Sequence, residues 1–193
     1  MPPPVTSAAS FRTLLRRFRR NGRASAVVEF ALVAPLFFAL LFAIIETALM
    51  FFASQVLETV TQESARMIVT GQAQSGQVAA CQISGANAPC TQASFKSLVC
   101  SQIPALFDCT KLYVDVESYS SFSNVTFTNQ IDANGNFITN NMQYNPGGPG
   151  NIVVVRVFYP WQLFVTGLGY NIANLTGNQR LLIATAAFQN EPY

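Results

Sequence analysis

The sequence of 193 residues contains no histidine. This absence removes the commonest general base of enzymes and a favoured zinc ligand. Charged residues are also scarce, at 10%, whereas hydrophobic residues reach 50%, which excludes a disordered chain. Asp115 and Glu117 lie two apart on a predicted strand, where we expect a solvated face rather than an acid–base pair. We therefore expect no catalytic residue, no cofactor, no metal site and no enzyme.

Acidic residues are missing from the start of the chain. Six arginines precede Glu29, the first acidic residue; they are Arg12, Arg16, Arg17, Arg19, Arg20 and Arg23. A basic cluster can indicate nucleic-acid binding, but before a long apolar run it more often marks the cytoplasmic side of a membrane segment. We expect contact with a membrane and none with nucleic acid.

Charges are absent again from Phe30 to Ile45, and only Glu46 interrupts the apolar run up to Leu57. A membrane-spanning helix needs about 20 mostly apolar residues, so we predict a span over about 30–52. The arginines predict a cytoplasmic N-terminus and an exported remainder. A cleaved signal peptide is the alternative, but its apolar core is shorter and a small-residue cleavage site follows it.

Helical periodicity continues beyond the span. Val56, Val60 and Met67 recur along one side, and Gly71 is a stop signal. We predict one helix over 25–70, roughly 70 Å long, with a kink at Pro35, which removes a helical hydrogen bond.

All four cysteines follow this helix, at Cys81, Cys90, Cys100 and Cys109. Without histidine or a C-x-x-C pair, two disulfides in an oxidising compartment are favoured over zinc. The nested and the sequential pairings both remain open, and shorter loops favour the sequential one.

Several strand patterns follow the cysteines. "KLYVDVES" alternates apolar and polar residues, "NVTFTN" continues in that style, and "NIVVVRVFY" is apolar enough for burial on both faces. Asn134-Gly135 indicates a hairpin turn, and "LLIATAAF" is the last predicted strand. "YNPGGPGN" is predicted as a loop, and "WQLFVTGLGY" as a short helix or an irregular apolar loop.

Together these patterns predict an α+β fold, a long N-terminal helix followed by a small antiparallel sheet domain with disulfides. The expected organisation is a basic cytoplasmic leader over 1–24, the helix over 25–70 and an extracytoplasmic domain over 71–193.

The string "SAVVEFALVAPLFFALLFAIIE" resembles the TadE-like minor pilins (pseudopilins) of the tight-adherence (Tad, or Flp) type IV pilus system. The ending "AFQNEPY" is similar to the aromatic-x-Asn-Glu-Pro-aromatic ending common in that family. The resemblance covers about forty residues at the front and a handful at the back. It implies a structural protein that helps to initiate or cap an adhesive pilus and is stored in the bacterial inner membrane.

The same resemblance implies specific residue roles. A prepilin peptidase removes the leader so that the glutamate becomes the fifth mature residue, which places the cut between Ala24 and Ser25. The family usually has glycine where Ala24 stands. Glu29 then supplies a counter-charge to the α-amine of an adjacent subunit; the alternative is a glutamate that rests at the lipid headgroups. Glu46 is expected near the outer interface, as a candidate contact to a partner minor pilin.

The implied partners are other minor pilins, the major pilin, the prepilin peptidase and the inner-membrane assembly platform. The resemblance is also compatible with incorporation into the extracellular pilus. Two alternatives come from other classes of protein. One is a signal-anchored binding or sensor domain, for which a large apolar pocket would speak. The other is a membrane-anchored enzyme, which the missing histidine disfavours.

Overall fold

A computed structural model describes residues 22–82, 88–103, 105–165 and 170–193. Most of the basic leader, residues 1–21, therefore lies outside the described residues. The chain divides into two compact units, Met1–Ile45 and Glu46–Tyr193. Helix α1 spans Gly22–Val69, close to the predicted 25–70, and the turn that follows it contains Gly71 with φ +72°.

The described part of the sheet has three antiparallel strands in the order β1-β2-β3. Their bounds are Tyr113–Tyr119 for β1, Ile152–Gln162 for β2 and Gln179–Gln189 for β3. The α+β prediction is thus confirmed. Valine and other bulky apolar side chains fit a pleated, buried surface, and β2 is buried on both faces from Ile152 to Tyr159, as the lack of alternation in "NIVVVRVFY" predicts.

One main hydrophobic core lies within the second unit. Helix α1 contributes Ala53, Leu57 and Ile68, which pack in the same cluster as valines of β1 and β2. The helical face extends the predicted side, since Val60 is buried and Val56 and Met67 are partly buried. Burying a leucine or isoleucine side chain contributes about 1.5–3 kcal/mol, so this part of α1 belongs to the folded domain.

Two short α-helices are described between α1 and the sheet. They are α2, Gln72–Ser75, and α3, Gln92–Gln102. The sequence patterns described above do not predict α3. It begins with a capping box in which the Thr91 Oγ accepts from the Ser94 N–H and the Ser94 Oγ accepts from the Thr91 N–H; such reciprocal bonds satisfy donors that the helix leaves open.

The cysteines form two disulfides, Cys81–Cys90 and Cys100–Cys109; Cys90 precedes α3, and Cys100 lies near its C-terminal end. Their Cα atoms are 4.9 Å and 5.9 Å apart, respectively. This is the sequential pairing, which closes two loops of equal sequence separation. The two disulfides therefore join the start and the end of α3 to the segments that precede and follow it in the sequence.

The long connection between β1 and β2 corrects one strand prediction. "NVTFTN" forms no strand: Phe122–Asn124 is a 3₁₀ helix and residues 125–129 have no regular structure. Phe127 is 64% exposed and Val125 is partly exposed, so alternation alone was misleading there. The turn at Asn134-Gly135 is present, with Gly135 at φ +78° and the Gly135 N–H donating to the Asp132 carbonyl.

Candidate functional site

The first part of α1 presents apolar side chains on all sides. From Ala26 to Ile45 no residue is buried, and Phe30, Leu32 and Leu36 are each more than half exposed. Among the described residues, Ala26–Val69 is the one helix long and apolar enough to cross a membrane. Moving such a surface out of water lowers the free energy.

Four of the predicted site residues lie between the start of α1 and Ile45. Ala24 and Ser25 are near the start of α1, and Glu29 is exposed. Pro35 lies inside the helix without ending it; because proline has no N–H, one helical hydrogen bond is missing there. The cleavage and pairing roles of these residues stay predictions.

Glu46 is buried, with 6% of its surface exposed. Its Oε1 accepts a hydrogen bond from the Phe164 N–H at 2.5 Å, and its Oε2 accepts one from the Val165 N–H at 3.1 Å. Hydrogen bonds to a carboxylate are stronger than those between neutral groups. The side chain therefore attaches α1 to the segment that follows β2, and its contact with a partner pilin stays a prediction.

The segment after β2 is held at further points. Leu163 is buried and exchanges hydrogen bonds with Asn178, whose backbone carbonyl accepts from the Leu163 N–H at 3.0 Å and whose side chain donates to the Leu163 carbonyl at 2.8 Å. The hydroxyls of Thr47 and Tyr170 are hydrogen-bonded to each other. Of the predicted loop "WQLFVTGLGY", the first two residues extend β2, residues 163–165 are irregular and 166–169 lie outside the described residues.

The C-terminal motif is built around Asn190, which is 2% exposed. Its side-chain amide donates to the carbonyls of Pro146 and Gly148, at 2.9 Å and 3.1 Å. Its backbone N–H donates to the Asn151 carbonyl at 2.9 Å, and its own carbonyl accepts from the Gly150 N–H. The asparagine of "AFQNEPY" therefore fixes the "YNPGGPGN" loop.

The residues after Asn190 meet the end of α1. The Glu191 N–H donates to the Val69 carbonyl at 3.0 Å, which satisfies one of the carbonyls that a helix leaves without a partner. The Tyr193 ring lies against Gly71, where an added Cβ would come within 2.3 Å of the ring. The ending thus has a structural function that the sequence pattern alone does not reveal.

A buried charge cluster joins β1, β2 and the connection between them. The Arg156 Nη2 lies 2.5 Å from Asp115 and 2.9 Å from Glu117, and its Nη1 donates to the Thr128 carbonyl. Asp115, at 1% exposed, also accepts from the Gln143 N–H. The predicted solvated face was wrong for Asp115, because Arg156 lies opposite it in the register and pairs with it in the interior. Glu117 stays partly exposed, with 18% of its side chain accessible.

Tyr119 extends this cluster at the end of β1. Its hydroxyl donates to the Glu117 Oε2 at 2.5 Å. Burial raises the pKa of the Tyr119 hydroxyl, and the hydrogen bond to Glu117 raises it further. Since each carboxylate already accepts bonds from several donors, this cluster is suited to holding the connection on the sheet rather than to proton transfer.

Two pockets on the described surface are open depressions without a cluster of reactive groups. One of about 530 Å³ lies beside the C-terminal tail and is lined by residues 149–150 and 189–192. Another of about 310 Å³ lies between α3, β1 and the connection and contains Lys96 and Tyr113. Within the described ranges no group of three or more His, Cys, Asp or Glu residues could hold a metal ion.

A known protein family matches the N-terminal part of the chain. Residues 24–66 match the family model described as TadE-like protein. Those residues form a TadE-like domain. Neither a curated protein nor a solved structure matches the chain significantly.

The TadE-like domain connects the chain with the Tad pilus system. It contains the predicted cleavage residues, Glu29, Pro35 and Glu46, whereas the disulfides and the C-terminal motif lie outside it. Its last third also contributes to the core of the sheet domain. The matched segment therefore includes both the lipid-suited surface of α1 and a face buried in the protein.

Proposed function

We propose that this chain is a minor pilin of a Tad pilus and takes part in initiation or in the tip complex. The protein is stored in the inner membrane and is assembled through α1. The observation that carries the proposal is the TadE-like match over residues 24–66 on a helix whose side chains between Ala26 and Ile45 are nowhere buried. A single-pass span leaves that surface against lipid, and neighbouring pilin helices can replace the lipid in a filament.

Processing is the first step of the proposed route. A prepilin peptidase cuts between Ala24 and Ser25, so that the basic leader stays in the cytoplasm and Ser25 becomes the mature N-terminus. The asymmetric arginines support that orientation, and two disulfides support an oxidising compartment for the sheet domain. Mass spectrometry of the membrane form tests the cut: a mature mass starting at Ser25 is expected, and a chain that still begins at Met1 beside an active peptidase contradicts it.

Glu29 carries the proposed subunit contact. A carboxylate at membrane depth is costly unless it is paired, and the cut creates an α-amine close to it in sequence. A pairing between Glu29 and the amine of an adjacent subunit lowers that cost and sets the register of neighbouring helices. The first turns of a helix also favour an anion.

The experiment that tests this function compares glutamates on one helix. Glu29→Ala should abolish piliation and the recovery of partner pilins, whereas Glu63→Ala, at an exposed position of the second unit, should leave both unchanged. Glu29→Gln separates charge from shape, because it keeps the size and removes the counter-charge. Wild-type piliation in Glu29→Ala would remove the assembly role.

A further inference from the structure

Residues 163–165, which follow β2, place one bulky apolar side chain on the surface. Phe164 is 83% exposed, more than any other large apolar residue that the structure describes. Its neighbour Leu163 is buried and hydrogen-bonded to Asn178. The exposed ring is therefore displayed by an anchored backbone.

Helix α1 displays a matching surface just beyond Glu46. Leu49 is 46% exposed, Phe51 63% and Phe52 56%. No charged residue occurs from 47 to 57, and none occurs from 157 to 179. The two chain segments that meet at Glu46 thus combine exposed aromatic rings with a complete absence of charge.

The hydrogen bonds of Glu46 suit an apolar environment. Inside a bilayer, irregular backbone is tolerated only where its polar groups have partners in the protein, and a carboxylate there is costly unless paired. The Glu46 oxygens accept hydrogen bonds from the Phe164 and Val165 N–H groups. The carboxylate and the two backbone donors are therefore satisfied by each other and need no water.

We propose that residues 163–165, together with Leu49–Phe52, form a lipid-docking surface that lies in the outer leaflet of the membrane in which α1 is stored. This surface is called the apolar collar. The proposal rests on the membrane span of the proposed function but not on pilus assembly. The occupant is lipid because Leu49–Phe52 belong to the helix that is long and apolar enough to cross a membrane. Phenylalanine and leucine side chains are also the groups that interfacial segments bury at the boundary between headgroups and acyl chains.

The opposite end of the sheet supplies a matched control. β2 runs from Ile152 to Gln162, about 33 Å at the rise of an extended strand. Residues 163–165 follow its last residue, whereas Tyr119 pairs with its first. Phe122, shortly after Tyr119, is 61% exposed. It is therefore an exposed phenylalanine on the same domain at the far end from the collar.

The test uses the full-length chain in phosphatidylcholine vesicles whose acyl chains carry bromine close to the headgroup. Phe164→Trp and Phe122→Trp are each introduced into a Trp161→Phe background, so that the tryptophan is unique. Should that background not fold, the same two variants are read as differences from the wild-type protein, which retains Trp161.

We expect the tryptophan at position 164 to lose most of its emission in brominated vesicles and to resist acrylamide in the water phase. The tryptophan at position 122 should show the reverse. If bromine spares position 164 and acrylamide quenches it, the collar lies in water and the proposal fails. If both quenchers spare it, a second copy or another protein covers the ring, which also overturns a lipid occupant.

The quenching experiment and the piliation experiment test the two proposals independently. Quenching of position 164 by lipid together with normal piliation in Glu29→Ala would retain the collar and remove the assembly role. Loss of piliation in Glu29→Ala with no lipid quenching would do the opposite.

Discussion

From Ala26 to Ile45 helix α1 buries no side chain, whereas from Glu46 to Val69 it buries Glu46, Ala53, Leu57, Val60, Thr61, Ser64, Ala65 and Ile68. The buried positions repeat at spacings of three, four and seven, which is one face of a helix. Several of them are small or polar. The first stretch, in contrast, exposes its largest apolar residues. The more hydrophobic part of the helix is thus the part that the protein itself does not cover.

This difference separates two kinds of stability along one regular helix. The stretch over 46–69 is fixed by the packing of the sheet domain, so its substitutions should change the free energy of unfolding of that domain. Under the proposed function, the stretch over 26–45 is covered by lipid or by other subunits, so its substitutions should change membrane storage and assembly instead.

The largest effect on domain stability is expected from Leu57→Ala. Leu57 is completely buried, and removing a buried leucine side chain costs about 2–5 kcal/mol because a cavity remains. Leu36→Ala, at 62% exposure, is the matched control and should leave the unfolding midpoint of the domain unchanged. Denaturant unfolding in detergent, followed by near-ultraviolet circular dichroism, measures both. Equal losses in the two variants would show that the two stretches do not differ as described.

The second effect concerns the boundary between the stretches. Glu46→Leu leaves the Phe164 and Val165 N–H groups without their acceptors, and an unsatisfied buried donor costs about 1–3 kcal/mol. Glu46→Gln keeps one carbonyl acceptor and should lose less. Hydrogen exchange of the Phe164 and Val165 amides reports the change directly: we expect fast exchange in Glu46→Leu and intermediate exchange in Glu46→Gln. Protection unchanged from wild type in Glu46→Leu would contradict the proposed attachment.

The third effect tests the C-terminal end of the same helix. Gly71 has φ +72°, a conformation that costs an L-residue about 1–2 kcal/mol, and an added Cβ meets the Tyr193 ring. Gly71→Ala should therefore destabilise the domain by at least the backbone cost. In a Tyr193→Ala background only the backbone cost should remain, so a double-mutant cycle isolates the contact with the ring. Additive losses would mean that Tyr193 does not pack on Gly71 in solution.

The sequence predicted those elements whose information is local. The runs of valine and isoleucine in β2, the long apolar run of α1 and the glycine after it each carry their own signal. Short loop closure likewise favoured the disulfide pairing that the structure shows. Helix α3 was not predicted, although the Thr91–Ser94 spacing before Phe95 was a usable start signal.

The contacts of the candidate site were harder to predict from the sequence because they join residues that are far apart in it. Arg156 lies 41 positions from Asp115 in the sequence, and Phe164 lies 118 positions from Glu46. Periodicity places a carboxylate on a face but does not reveal what covers that face. For this reason Asp115 was expected in solvent, and the hydrogen bonds of Glu46 to the loop were not foreseen.

The smallest effect is expected in a turn that belongs to neither stretch of α1. Hydrogen bonds from the Asn136 backbone and side chain lower the pKa of the Asp132 carboxyl. Because the folded pKa lies below the unfolded value of about 3.9, the ionised group stabilises the fold above that pH, and this contribution is lost as pH falls through the folded pKa. Asn136→Ala removes one of the donors and should move the pKa of Asp132 back toward its ordinary value in a carbon-13 carboxyl titration, while Leu57 and its neighbours keep their chemical shifts. A titration curve identical to wild type would show that these hydrogen bonds do not lower the pKa of Asp132. Chemical-shift changes that extend to the buried face of α1 would show that the turn and the helix core unfold together.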